Sequence, residues 1–278
     1  MTFRSAEALN QSDAKIVKIK MRIGLFDSGL GGLLIAQAVA QKLPQYEYVY
    51  YGDTANLPYG DKTEAEIYEL TRAGIEYLFE AGCGLAIIAC NTASAETLRA
   101  LQDNWLPFHY PNQRILGVII PTLEYCVEQG VTAPLLIATR RTVESKKYER
   151  EIALKNFPLH LTALATPTLV PLIEAGDTDA AIQTVNKAID QEMARHLSLD
   201  SVVLGCTHYS ALADRLRSVY HDALQIIPQT EVIPSKLANY ITRHPELNIA
   251  VHQSDRTKIQ IHLTKERPDY ATFLNTIK

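Results

Sequence analysis

One repeated pattern constrains this chain more than any other feature. The segment Leu85-Ala86-Ile87-Ile88-Ala89-Cys90-Asn91-Thr92 is echoed in the second half by Ser201-Val202-Val203-Leu204-Gly205-Cys206-Thr207-His208. Each is an apolar run that ends in a cysteine and then in small polar residues opening a helix, expected over Ala93–Gln102 and Tyr209–Tyr220. A run without polar alternation is what a parallel strand covered on both faces requires. Two such units predict two related halves, each with a cysteine at the carboxyl end of a strand. In open α/β sheets ligands bind at that edge.

The rest of the chain continues the alternation. Further strands are expected at Met21–Phe26, Glu47–Tyr51, Ile115–Ile119, Pro134–Ala138 and Gln225–Ile227, beside Leu85–Ala89 and Ser201–Gly205. Between them, Thr63 and Glu66 form a capping box, and Ile67, Leu70, Gly74, Tyr77, Leu78 and Ala81 recur at helical spacing over Thr63–Ala81. Strand–helix–strand repetition means an α/β fold with right-handed crossovers. No Pro-, Ser- or Gly-rich linker interrupts it.

Composition narrows the function classes. With 47% hydrophobic residues the chain is not disordered, and 27 basic against 31 acidic side chains give no surface for a polyanion such as nucleic acid. The first twenty residues contain no apolar signal core, and no apolar run approaches the roughly 18 residues that span a bilayer. The glycosylation sequon at Asn10 therefore carries no expectation. The four cysteines are scattered without a C-x-x-C pair or a zinc-finger histidine. These readings favour a cytoplasmic, reduced, metal-free protein.

Several residues carry candidate chemistry. A thiol at a helix start meets unpaired N–H groups and the positive end of the macrodipole, which predicts a pKa for Cys90 and Cys206 lowered from about 8.5 toward neutrality. The alternative is an inert core thiol, the reading given to Cys83 and Cys126. The first strand ends in Phe26-Asp27-Ser28-Gly29-Leu30-Gly31-Gly32, a glycine-rich turn that lacks the third glycine of a dinucleotide fingerprint and the G-K-[ST] of a Walker loop. It suits a carboxylate or a zwitterion, with Asp27 expected at the mouth of the site or, alternatively, capping the next helix. Asp53 follows a second strand, and Pro58-Tyr59-Gly60 reads first as turn chemistry. Glu174 lies in an apolar stretch and is a surface carboxylate unless a cleft lies beside it. His208, two residues after Cys206, can set the protonation of that thiol. A thiol phosphatase is excluded, because its C-x5-R loop would need arginine where Glu96 and Leu212 stand.

Taken in order, Asp27-Ser28-Gly29-x-Gly31-Gly32, Pro58-Tyr59-Gly60, Cys90-Asn91-Thr92-Ala93, Ala138-Thr139-x-x-Thr142-Val143, Leu169-Val170-x-Leu172-x-Glu174-x-Gly176 and Gly205-Cys206-Thr207-His208 resemble the glutamate racemases of the cofactor-independent aspartate/glutamate racemase superfamily. The resemblance runs from about Ile23 to the C-terminus. It implies interconversion of L- and D-glutamate without pyridoxal phosphate or metal, supplying D-glutamate for peptidoglycan. By motif position it makes Cys90 and Cys206 the acid/base thiols on opposite faces of the α-carbon, the first acting on D- and the second on L-glutamate. Asp27 and His208 would assist them, with Glu174 and Asp53 as secondary candidates. The implied substrate contacts are Asp27, Ser28, Tyr59, Gly60, Asn91, Thr92, Thr207 and His208.

The fold expected on this basis is two pseudo-symmetric α/β domains with mainly parallel sheets flanked by helices and the active site in the cleft between them. Residues 1–117 and 228–278 would form the first domain and residues 118–227 the second. The extra N-terminal residues are similar to those of members activated by UDP-N-acetylmuramoyl-alanine, which makes that precursor a candidate activator. The state expected is a monomer or homodimer. Three positions depart from the family pattern: Arg141 stands for a usual glycine, Ser210 for a proline and Gln229-Thr230 for Asp-Ser, the last expected to alter closure or packing near the site. The rival readings are a racemase for aspartate or a broader amino-acid set, a catalytically silent binding protein, and a thiol nucleophile working through a covalent adduct.

Overall fold

The computed structural model describes residues 21–196, 198–247, 249 and 259–266; the N-terminal twenty residues, with the sequon at Asn10, lie outside these. Among the described residues nine strands form two wholly parallel sheets. The strands are β1 (Arg22–Asp27), β2 (Tyr48–Gly52), β3 (Cys83–Ile88), β4 (Arg114–Gly117), β5 (Pro134–Ala138), β6 (Thr162–Ala165), β7 (Ser201–Gly205), β8 (Gln225–Pro228) and β9 (Ile259–Leu263). The helices are α1 (Gly32–Lys42), α2 (Glu64–Glu80), α3 (Asn91–Ala100), α4 (Leu106–His109), α5 (Ile119–Glu128), α6 (Arg140–Glu144), α7 (Lys147–Lys155), α8 (Leu169–Glu174), α9 (Thr178–Arg195), α10 (Ala213–Tyr220) and α11 (Gln229–Arg243).

The first sheet runs β4-β3-β1-β2-β9 and the second β6-β5-β7-β8. Read from the other edge, the second sheet is β8-β7-β5-β6, the order of the first without its added β9. In each, the chain steps from a central strand to one side, then crosses to the other side of that strand. The reversal opens a crevice at the carboxyl ends of β1 and β3 and another at those of β5 and β7, the position where α/β sheets bind ligands. The strand that enters each crevice on its second pass is the one that precedes a singled-out cysteine.

The central strands owe their apolar continuity to cover on both faces. β3, β5 and β7 are buried along their whole length. α2 illustrates the covering layer. Its capping box is formed in full, with the Thr63 hydroxyl accepting from the Glu66 N–H and the Glu66 carboxylate accepting from the Thr63 N–H. Such a cap contributes about 1 kcal/mol. Ile67, Ile75, Leu78 and Phe79 then bury the helix face, each contributing roughly 1.5–3 kcal/mol. Gly74 lets the helix approach closely, since a Cβ there would meet the Phe26 ring at 2.5 Å.

Two strands beyond the expected set, β6 and β9, form sheet edges. The run expected over Ile115–Ile119 ends as a strand at Gly117, and Ile119 already opens α5. The helix expected over Ala93–Gln102 begins two residues earlier, at Asn91. The one expected over Tyr209–Tyr220 begins as a 3-10 turn over Thr207–Leu212 and becomes α-helical at Ala213. No helix among the described residues is long and apolar enough to cross a membrane.

Candidate active site

The loops that follow β1, β2, β3, β5, β6 and β7 line one cavity of about 460 Å³. From the first sheet's side come Ser28, Tyr59, Gly60, Cys90, Asn91 and Thr92; from the second come Thr139, Thr166, Glu174, Cys206, Thr207 and His208. The two echoed cysteine segments thus meet across a single space, although they are far apart in sequence and belong to different sheets.

Cys90 is the N-cap of α3, and its sulfur accepts from the Ala93 N–H at 3.4 Å and from the Ser28 hydroxyl at 3.3 Å. Those donors favour a thiolate, yet burial outweighs them. With the neighbouring Asp27 carboxyl adding to it, burial pushes the Cys90 thiol up to about 12. The expectation of a lowered pKa is therefore corrected for Cys90: the helix N-terminus is present, but desolvation is the larger effect. Cys83 and Cys126, away from the cavity, are likewise pushed up to about 12 by burial and fit their structural reading.

Cys206 has a different neighbour. Its sulfur lies 3.9 Å from His208 Nδ1, and His208 Nε2 lies 3.0 Å from Glu174 Oε1. Burial by itself would drive the proton off His208, but Cys206 and Glu174 outweigh it and push the imidazole up to about 10. Glu174 is thus not a solvated helix carboxylate: a cleft does lie beside it, and it holds the far side of the imidazole.

Asp27 is not at the mouth of the site. It is fully buried, absent from the cavity lining, and one carboxylate oxygen accepts from the N–H groups of Gly29 and Gly32, both at 3.1 Å. Gly32 begins α1, so the capping alternative describes what this side chain does. Its other oxygen accepts from the Thr207 hydroxyl at 3.4 Å, which joins the turn of the first sheet to the cysteine loop of the second. Burial raises its pKa, against the pull of His208 and the hydrogen bonds. The contact between the two loops depends on Gly31, where a Cβ would lie 2.5 Å from Thr207 Oγ1 and 2.6 Å from His208 Nδ1.

Asp53 also stands behind the cavity and accepts from the Tyr59 hydroxyl at 2.7 Å, which fixes that ring in the wall. Thr92 on α3 shares hydroxyl contacts with Thr139 at 2.9 Å and Thr142 at 3.2 Å, tying α3 to α6. Sequence reading named neither Thr139 nor Thr166 as a contact, nor Tyr209 or Arg140; all four line the cavity. Thr139 was readable as a helix cap, since it does accept from the Thr142 N–H. Arg140, adjacent to it, is the only Lys or Arg in the lining among the described residues.

The three departures from the expected pattern have separate physical outcomes. Arg141 pairs with Glu96 through two contacts at 2.8 and 3.2 Å. The Ser210 hydroxyl is buried without a hydrogen-bond partner among the described residues. Gln229 is fully buried and bonded to Asn91.

Comparisons with known proteins identify relatives of this chain. The family described as Asp/Glu/Hydantoin racemase matches residues 34–234. The glutamate racemase of Jannaschia sp. (strain CCS1) is 37% identical over 238 residues, covering 82% of this chain and 87% of that protein. Among solved structures, glutamate racemase isoform RacE1 from Bacillus anthracis superposes with a TM-score of 0.80 at 26% identity, over 92% of this chain and 93% of that one. The glutamate racemase of Escherichia coli, solved with L-glutamate and the activator UDP-MurNAc-ala, gives a TM-score of 0.67 at 25% identity, over 93% and 94% of the two chains.

Proposed function

The chain belongs to the Asp/Glu/hydantoin racemase family, and from that premise we propose that it interconverts L- and D-glutamate with two cysteine bases. The observation that carries the reading is the pair of strand-end thiols, Cys90 and Cys206, lining one cavity from two sheets of the same strand order. Racemisation needs a proton removed from one face of the α-carbon and another delivered to the opposite face. A single base would return the proton to the side it came from.

In this reading Cys206, beside the protonated His208, takes the α-proton of L-glutamate while the Cys90 thiol delivers its own proton to the other face. In the reverse direction Cys90 acts on D-glutamate and Cys206 supplies the proton. Each thiol ends the turnover in the state the other direction needs, so atoms and charge balance without an external acid. Negative charge that develops on the substrate carboxylate is met by short donors at strand and helix ends: Ser28, Asn91, Thr92 and Thr207. Tyr59 and Gly60 close the wall, and Arg140 gives the second carboxylate of glutamate a cationic partner. Asp27 acts from behind the cavity through the turn it caps and through Thr207.

The same reading assigns residues 1–117 with 228–278 to one unit and 118–227 to the other, with closure over substrate excluding water from the α-carbon. D-glutamate made here would serve peptidoglycan synthesis in the cytoplasm, and a UDP-N-acetylmuramoyl-alanine activator is the regulatory ligand to test.

Circular dichroism of the purified protein with L-glutamate, then D-glutamate, in deuterated buffer tests the proposal. The expected outcome is decay of the optical signal from either enantiomer, with deuterium appearing at the α-carbon. Decay with aspartate but not glutamate would keep the chemistry and overturn the substrate. No decay with any amino acid, with and without the muramoyl precursor, would overturn the reading.

A further inference from the structure

Asn91, the residue after Cys90, is held by a buried hydrogen-bond network whose direction is fixed at its far end. The Thr122 hydroxyl donates to the Val118 carbonyl at 2.7 Å, so toward Gln229 it accepts, at 3.2 Å from Nε2. That places the Gln229 nitrogen and not its oxygen toward Thr122, and the same nitrogen donates to Asn91 Oδ1 at 3.1 Å. Gln229 Oε1 must then accept, and it does, from Asn91 Nδ2 at 2.7 Å. The Tyr148 hydroxyl completes the set by donating to Asn91 Oδ1 at 2.7 Å. Thr122, Tyr148 and Gln229 come from α5, α7 and α11, and each of these side chains is at most 1% exposed.

The polarity has a consequence inside the cavity. Asn91 Oδ1 is filled by two donors, and one Nδ2 proton is taken by Gln229. The second Nδ2 proton has no partner among the described residues, although Asn91 is only 2% exposed and lines the cavity. A buried amide proton without a partner is destabilising, and a ligand oxygen in the cavity would relieve it. A flipped carboxamide would aim an oxygen lone pair at that ligand instead. It would also set oxygen against oxygen and nitrogen against nitrogen at Gln229.

We propose that Gln229 is a positioning residue, which through its paired amide contacts locks the Asn91 carboxamide with one N–H free for a substrate carboxylate. The proposal rests on the reading of Asn91 as a substrate contact. An acidic side chain at position 229 could accept from Asn91 but could not donate to both Thr122 and Asn91, so the lock is particular to a carboxamide.

The decisive experiment is a double-mutant cycle of Gln229→Met with Asn91→Ala, read as kcat and KM for both enantiomers. Gln229→Met keeps the volume and removes both amide contacts. It should raise KM for L- and D-glutamate roughly 10- to 100-fold with a smaller change in kcat, the loss expected for one misdirected buried hydrogen bond. In the Asn91→Ala background the same substitution should have almost no further effect, because the group it acts through is gone. An unchanged KM, or equal effects in the two backgrounds, would overturn the proposal. A second readout is independent of turnover: exchange of the Asn91 side-chain amide protons by NMR. One proton should be protected in the unmodified protein and lose protection in Gln229→Met; equal exchange in both overturns the lock. If the unmodified protein racemised neither enantiomer, the function reading would fail while the exchange measurement still decided the geometry.

Discussion

Cys90 and Cys206 occupy equivalent places in two sheets of one strand order, each at the carboxyl end of the strand beside the central reversal, yet their surroundings are unlike. Cys90 faces neutral donors, the Ser28 hydroxyl and the Ala93 N–H, with a buried carboxyl behind them. Cys206 faces an imidazole whose pKa is pushed up to about 10 by Cys206 itself and by Glu174, against burial. The backbone repeats and the electrostatics do not. A racemase passes through one intermediate from two mirror-related substrates, so matched topology suffices to bring two bases to opposite faces. On the proposed two-thiol mechanism the protonation states must nevertheless differ, because one sulfur has to be empty when the other is loaded. The neighbours are unlike in that respect: burial keeps the proton on Cys90, whereas Cys206 stands beside the His208 imidazole.

The largest effect should come from removing either thiol. Cys90→Ser and Cys206→Ser preserve shape, so the fold should remain while racemisation falls by roughly 10³-fold or more, since both faces need their own base. Steady-state circular dichroism of the two variants is the check. Near-native turnover in either variant would break the comparison at its root.

A smaller effect, and a one-sided one, is expected at His208. Its folded pKa of about 10 exceeds the ordinary 6.5, so the protonated form is favoured by the native state. The stabilisation this gives is complete below pH 6.5 and is lost as pH rises through 10. The melting-temperature gap between the unmodified protein and His208→Gln should therefore be widest near pH 6 and close by about pH 10. Glu174→Gln, which removes one of the groups that hold the proton on the imidazole, should lower the His208 titration midpoint seen by NMR. Both variants should slow the L-glutamate direction more than the reverse, by roughly 10²-fold in kcat/KM for His208→Gln. A gap that ignored pH would remove His208 from its place as the proton holder.

How much of this was legible in the sequence follows from what each residue has to satisfy. Buried parallel strands must be apolar throughout, so β5 and β7 could be read to the residue. β6 and β9 could not: Thr162–Ala165 is half-buried along its length, and in Ile259–Leu263 exposure does not follow residue type, with Ile261 exposed and His262 half-buried against Tyr51 and Tyr77. The cysteines and His208 stand out because chain order places them at or just after strand ends, whereas Tyr59 reads only as a turn residue without the resemblance. Arg140 and Thr166 do not stand out, and the bonds of Gln229 could not be read, because their meaning depends on which elements pack together. The misplacement of Asp27 has the same origin. Position after a strand told that it lies near the binding edge, but which way the carboxylate turns is decided by the Gly29 and Gly32 N–H groups. Likewise, local sequence shows the helix start at Cys90 but not the depth of burial that overrides it.

The smallest effect should come from Arg141, which sharpens the comparison by testing what merely joins the two sides. Arg141 on α6 pairs with Glu96 on α3, linking the helix after the first thiol to the helix that carries Thr142. The arginine side chain is 28% exposed, so solvent screens the pair, and partly exposed ion pairs contribute up to about 1 kcal/mol. The same two helices are already joined by the hydroxyl contacts of Thr92 with Thr139 and Thr142, which Arg141→Ala leaves intact. The substitution should lower the melting temperature by about 2–4 °C at low salt, and less as ionic strength rises. Turnover should change less than about threefold and by the same factor for L- and D-glutamate, because the tie touches neither sulfur's surroundings. A change confined to one enantiomer would mean that the Glu96–Arg141 pair biases one thiol, and that the asymmetry extends beyond His208 and Glu174 into the joint between the helices.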